Sequence, residues 1–166
     1  MILGLSTSTF TVVHVVVSLL GIFSGLIVLF GMFRSQKRNG WTALFLATTG
    51  LTSVTGFCFP HDHLLPSHIV GIISLVVLAV AILALYGYRL AGAWRWVYVA
   101  GAGVALYLNV FVGVVQAFQK LPFLKPLAPT QSEPPFLITQ LVVLALFVGL
   151  TVVAVIRFHH EQLRAA

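Results

Sequence analysis

The chain has 166 residues, is 60% hydrophobic and only 7% charged, and has a mean hydropathy of +1.08. A soluble domain carries about a quarter charged residues, so this composition excludes one and indicates an integral membrane protein. Nine Lys and Arg outnumber three Asp and Glu, but the cations lie scattered between apolar runs rather than gathered on one solvated face, which excludes a nucleic-acid patch.

Crossing roughly 30 Å of hydrocarbon takes about 20 helical residues. The first stretch that long runs from Phe10 to Phe33. Residues Met1 to Phe10 lack a basic segment and no small-x-small cleavage site follows, so the run is expected to be a retained span rather than a signal peptide. His14, Ser18, Gly21 and Gly25 fall on one helical stripe, which should face protein. The second stretch, Trp41 to Phe59, is rich in hydroxyls. Thr48, Thr52 and Thr55, beside Thr49, Ser53 and Gly56, are expected to satisfy carbonyls of their own helix.

The connection that follows holds Cys58, His61, Asp62, His63 and His68 within eleven residues. Groups that ligate metals or move protons are costly beside a membrane without a partner, which makes this cluster a first place to look for chemistry. The third stretch, Ser67 to Tyr88, starts at His68, with Ser67, Gly71 and Ser74 as a close-packing face. In the fourth, Trp94 to Phe118, Asn109 and Gln116 point the same way two turns apart. Lys120 to Pro135 holds five of the seven prolines and is expected to be an extended, stiff cover over one mouth of the bundle. Ser132 and Glu133 before Pro134 and Pro135 have the order of a helix start. The fifth stretch, Phe136 to Phe158, carries Gln140 one turn in. The expectation is an all-α single domain over residues 1–166, a bundle of five transmembrane helices without internal repeat.

Arg34, Lys37, Arg38, Arg89, Arg95, Arg157 and Arg164 fall on one side, seven of the nine cations. Lys120 and Lys125 fall on the other. The positive-inside rule then places the N-terminus outside and the C-terminus in the cytoplasm, with Trp41, Trp94, Trp96, Tyr86, Tyr88 and Tyr98 as an inner aromatic belt. At 1.5 Å of rise per residue, His14, His68, Gln116 and Gln140 all belong to the outer leaflet, and Asn109 lies roughly 16 Å below Lys120, near the midplane.

Two readings of these residues stay open. His14 and His68, from different helices at similar depth, can supply axial ligands to a b-type haem, and Gln116, Asn109 and Gln140 can hydrogen-bond a quinone carbonyl. Equally, each can form an ordinary interhelical hydrogen bond. Cys58, His61, Asp62 and His63 offer donors suited to zinc or copper, although their spacing matches no standard zinc motif. His159 and His160 carry no assigned role. The single cysteine rules out an intrachain disulfide, and there is no P-loop, HExxH, GxSxG or CxxCH.

The stretches Gly92-Ala-Trp-Arg-Trp-Val-Tyr98, Tyr107-Leu-Asn-Val-Phe111 and Leu127-Ala-Pro-Thr-Gln-Ser-Glu-Pro-Pro-Phe136 resemble a group of small, uncharacterised polytopic proteins of the bacterial inner membrane. The resemblance runs over most of the chain and implies that location, but brings no activity, ligand or catalytic residue. The expectation from the residues is therefore a periplasm-facing redox site holding haem b, contacting quinone, or both. The alternatives are metal-ion or small-molecule binding and transport through the outer His/Asp cluster, and an accessory or assembly subunit of a larger membrane complex. Expected partners are the lipid bilayer and, in the last case, other membrane subunits or further copies, with no nucleic acid.

Overall fold

The computed structural model describes Ile2, Gly4, and residues 6–59 and 66–158. The apolar runs become helices because a backbone in hydrocarbon must satisfy its own N–H and C=O groups. In chain order they are α1 (Thr7–Met32), α2 (Asn39–Gly56), α3 (Pro66–Ile82), which continues as a π turn over Leu83–Gly87, α4 (Trp94–Lys120) and α5 (Pro134–Arg157). Four of these are long and apolar enough to cross a membrane: α1, α3 with its π turn, α4 and α5. The exception, α2, is 18 residues long and diluted by glycine and threonine.

Local chemistry sets the ends. Ser6 caps α1 by accepting from Thr9 N–H at 3.1 Å. The helix closes where Gln36 N–H bonds Gly31 O at 2.9 Å and Ser35 N–H bonds Met32 O at 3.0 Å, with Ser35 in the left-handed region at φ 53°. This is a Schellman-type close with serine in the usual glycine position. Pro134 and Pro135 occupy the first turn of α5, where no backbone donor is needed.

Neighbouring helices run antiparallel, as the side-chain pairs between them show. Gly21 of α1 approaches Thr48 and Thr49 of α2, Ser53 of α2 bonds Ser74 of α3, Gly101 of α4 sits on Ala81 of α3, and Gly103 of α4 on Thr151 of α5. Helices α1 to α4 form a ring in that order, and α5 lies outside it, mainly against α4 and less against α1. Much of α5 faces outward, including Leu141 at 64% and Ile156 at 66% exposed. Such a surface suits lipid and not water.

The core fills one half of the ring. Val28 and Met32, Phe45, Leu85, Tyr98 and Leu106 are buried there together, toward the end that carries Arg34, Arg38, Arg89 and Arg157, here termed the basic end. At that end Ser35 Oγ donates to Arg157 O at 2.7 Å, the Arg95 guanidinium donates to Phe158 O, and Tyr88 stacks on Trp94 with centroids 3.9 Å apart. The last carbonyls of α5 thus find donors on the α1–α2 connection and on α4.

The proline-rich cover departs from the extended segment that its sequence suggests. Helix α4 runs on to Lys120, residues 122–124 turn, and Lys125–Leu127 forms one 3-10 turn. The reason is a small apolar cluster: Ala128 is buried with Phe118 and Phe136, and Leu124 packs on it. Burial of these groups coils the segment back onto the ends of α4 and α5.

Candidate functional site

Away from the basic end the ring parts into a cavity of ≈ 360 Å³ between α1, α2, α3 and α4. Its polar wall includes His14 and Ser18 of α1, Thr52 and Ser53 of α2, and His68, Asn109, Gln116 and Lys120 of α3 and α4. Much of the rest is apolar or small: Val15, Leu19, Ile22, Leu108, Val112 and Gly113.

The polar groups form two tiers. In the upper tier His14 Nδ1 lies 2.8 Å from Thr55 Oγ1. Thr55 Oγ1 in turn donates to Leu51 O at 2.7 Å, which uses its one proton, so in the neutral ring His14 Nδ1 must be the donor. That assignment leaves Nε2 with its lone pair. The ring is held edge-on to Phe59, 5.2 Å between centroids. Across the cavity His68 is 4% exposed and stacks on Phe57 at 5.3 Å. The Phe57 ring also lies over Gly71, where a Cβ would meet it at 3.3 Å.

The lower tier sits two turns deeper, about 10 Å along the helix axes. Asn109 Nδ2 donates to Thr49 Oγ1 at 3.4 Å, and a Cβ on Gly21 would stand 2.9 Å from the same nitrogen. Below it the interior closes, since Gly25 lies against Phe45 and Leu106. Between the tiers Ser53 Oγ and Ser74 Oγ lie 3.2 Å apart, within hydrogen-bond reach.

The sequence-derived residues separate clearly. His14, His68, Asn109 and Gln116 line this cavity. Gln140 does not: its Nε2 donates to Phe111 O at 3.2 Å, between α4 and α5. Cys58 is half-buried with Sγ 3.9 Å from Val54 O and is not on the wall either. His61, Asp62 and His63 lie outside the described residues, as do His159, His160 and Arg164. Among the described residues no three His, Cys, Asp or Glu side chains come together as a metal site would require.

Two participants go beyond sequence reasoning. Thr48, Ser53 and Thr55 bond carbonyls of α2 as expected, but Thr55 also fixes the His14 ring. Thr52 Oγ1, on the cavity wall, is buried without a hydrogen-bond partner among the described residues, as is Gln140 Oε1. Buried polar atoms are rarely left so. The α4 stripe of Asn109, Gln116 and Lys120 was the available signal for Lys120 as a wall residue. Comparison with protein-family models, curated proteins and solved structures found no match.

Proposed function

We propose that this is a five-span protein of a bacterial inner membrane, N-terminus outside and C-terminus cytoplasmic, whose cavity binds a quinone-type ring near the outer surface. The orientation rests on the charge asymmetry. The fifth span is α2, which at 18 residues reaches about 27 Å.

The observation that carries the reading is the gathering of His14, His68, Asn109 and Gln116 around one otherwise largely apolar cavity. A volume of ≈ 360 Å³ lies in the range of small-molecule sites, which pair apolar walls with a few placed polar groups. A quinone has an apolar ring and carbonyl oxygens on opposite edges. Its oxidised form needs N–H or O–H donors, which the Gln116 and Asn109 amides and the Thr52 hydroxyl supply. Its reduced form needs an acceptor for O–H, and the Nε2 lone pair of His14 is one. Passage through the membrane is disfavoured by the closed packing of Gly25, Phe45 and Leu106 under Asn109.

Titration of the purified protein with a decyl-substituted benzoquinone tests this. Saturable binding is expected, weakened about tenfold or more by His14→Ala, by Gln116→Ala, and by Thr55→Val, which removes the group that orients the histidine; Thr55→Ser should bind as the unmodified chain. No saturable binding, or full binding by the His14→Ala, Gln116→Ala double variant, overturns the reading.

A b-type haem is the second reading, favoured because His14 and His68 come from different helices into one cavity and are the side chains that would hold it. When bound, haem would supply one-electron chemistry, and His14 Nε2 is the atom this chain offers it. An absorption spectrum decides: a Soret band lost in His14→Ala and His68→Ala supports haem, and its absence in protein purified from cells supplied with haem removes it.

A further inference from the structure

The cavity is walled unevenly. The α2–α3 side is the more buried one: His68 and Ser74 are 4% and 5% exposed, and of its lining residues only Ser67, at the mouth, is exposed. On the α1–α4 side several residues that line it also face outward: Val15 and Leu19 are 45% and 59% exposed, and Gly113, Gln116 and Lys120 are exposed as well. Deeper in the bundle these two helices close on each other, Gly21 on Asn109 and Gly25 on Leu106. At Gly113 the contact is lost. A Cβ there would meet just one heavy atom of the described residues within 4 Å, Ile22 Cδ1 at 3.8 Å.

We infer that the cavity opens sideways between α1 and α4 into the hydrocarbon, and that its ligand arrives from the bilayer with an apolar tail that stays in this gap. The inference rests on the quinone reading and specifies the ligand as a lipid-borne quinone. Depth is the first argument. Gly113 lies two turns below Lys120, about 10 Å beneath the end of α4, so the gap faces acyl chains and not headgroups. Chemistry is the second. The gap is edged by Val15, Leu19, Ile22 and Val112, which leave a tail in surroundings like those it came from, while the polar groups lie farther in or above. Lys120 stands at the top of the same edge, where a long cationic side chain reaches headgroup level, and Gln116 sits one turn below it, at the depth of the ring. The missing side chain at 113 keeps the passage wide.

Lipid nanodiscs containing the full chain provide the test, titrated in parallel with the decyl-substituted benzoquinone and with the same ring lacking its tail. Gly113→Phe fills the gap, and Leu19→Trp narrows it from a lipid-facing position whose change leaves the packed interior alone. In both variants the tailed quinone is expected to lose at least about tenfold more affinity than the tail-free ring does. If Gly113→Phe does not fold, Leu19→Trp carries the comparison. Equal binding of the tailed quinone by variants and unmodified chain overturns the lateral opening and leaves the quinone site standing. Equal loss of both ligands also overturns it, because the new side chain then fills the site itself. If neither ring binds the unmodified chain, the quinone reading fails and this inference with it.

Discussion

At Gly25 a single added methyl group would stand 2.7 Å from Leu106 Cδ1 and 2.8 Å from the ring of Phe45, which is 1% exposed and has no room to turn. At Gly113 the same methyl group would meet Ile22 Cδ1 at an ordinary 3.8 Å. Both glycines sit inside helices, where replacing glycine by alanine gains roughly 0.5–1 kcal/mol through reduced backbone freedom. Overpacking of a filled interior costs about 1–3 kcal/mol, enough to reverse that gain at Gly25. Gly25→Ala is therefore expected to destabilise the folded bundle by about 1–2 kcal/mol and Gly113→Ala to leave it unchanged or slightly more stable, as read by reversible unfolding in mixed micelles. Equal effects of the two substitutions would contradict the helix contacts described above.

The turn that ends the cover before α5 is organised by one carboxylate. Glu133 accepts from Thr130 Oγ1 at 2.8 Å, from Thr130 N–H at 3.1 Å and from Ser132 N–H at 3.1 Å, while Gln131, at φ 60°, reaches Val115 O of α4 at 3.2 Å. Partial desolvation by itself would raise the Glu133 carboxyl, but the hydrogen bonds from Thr130 and Ser132 outweigh it and hold the group below its ordinary value. A lowered native pKa means that this stabilisation is fully present above the ordinary glutamate range, near 4.3, and is lost as pH falls through the native value. Amide exchange at Thr130 and Ser132, corrected for intrinsic rates, should therefore stay slow above about pH 5 and quicken as pH falls below about 4, and Glu133→Gln should remove most of that pH dependence. The apolar content of the cover was harder to foresee than its prolines. Five prolines suggest an extended chain, yet Leu124 and Ala128 find a small core with Phe118 and Phe136, and that tertiary contact decides the shape.

For the molecule as a whole, depth and the protein-facing stripes of α1 and α4 were legible in the sequence, and the neighbour that each polar side chain meets was not. Rise per residue is constant along a helix, so counting from the ends of the apolar runs puts His14 and Gln116 at one level and Asn109 deeper, which is their arrangement around the cavity. The direction in which a side chain points depends on how each helix turns toward its neighbours. Gln140 has the depth of a wall residue but donates to the Phe111 carbonyl on the α5 side of α4. Thr55, one of a file of similar hydroxyls, is singled out only because α1 brings His14 to it. The helices themselves begin and end within a few residues of the apolar runs, since the hydrocarbon requirement is written directly in composition.

Cys58, which takes no part in the cavity wall, is the chain's one cysteine and is half-buried at the end of α2, between Phe57 and Phe59, whose rings border His68 and His14. It is a native attachment point for a fluorophore, and no other thiol has to be removed first. A membrane-impermeant maleimide applied to intact spheroplasts should label it, because the proposed orientation sets this end outside. Labelling that appears only after permeabilisation would reverse the orientation. Once attached, the dye stands about one helical turn from Thr55, so its emission becomes a built-in reporter of whether the space beside His14 is filled.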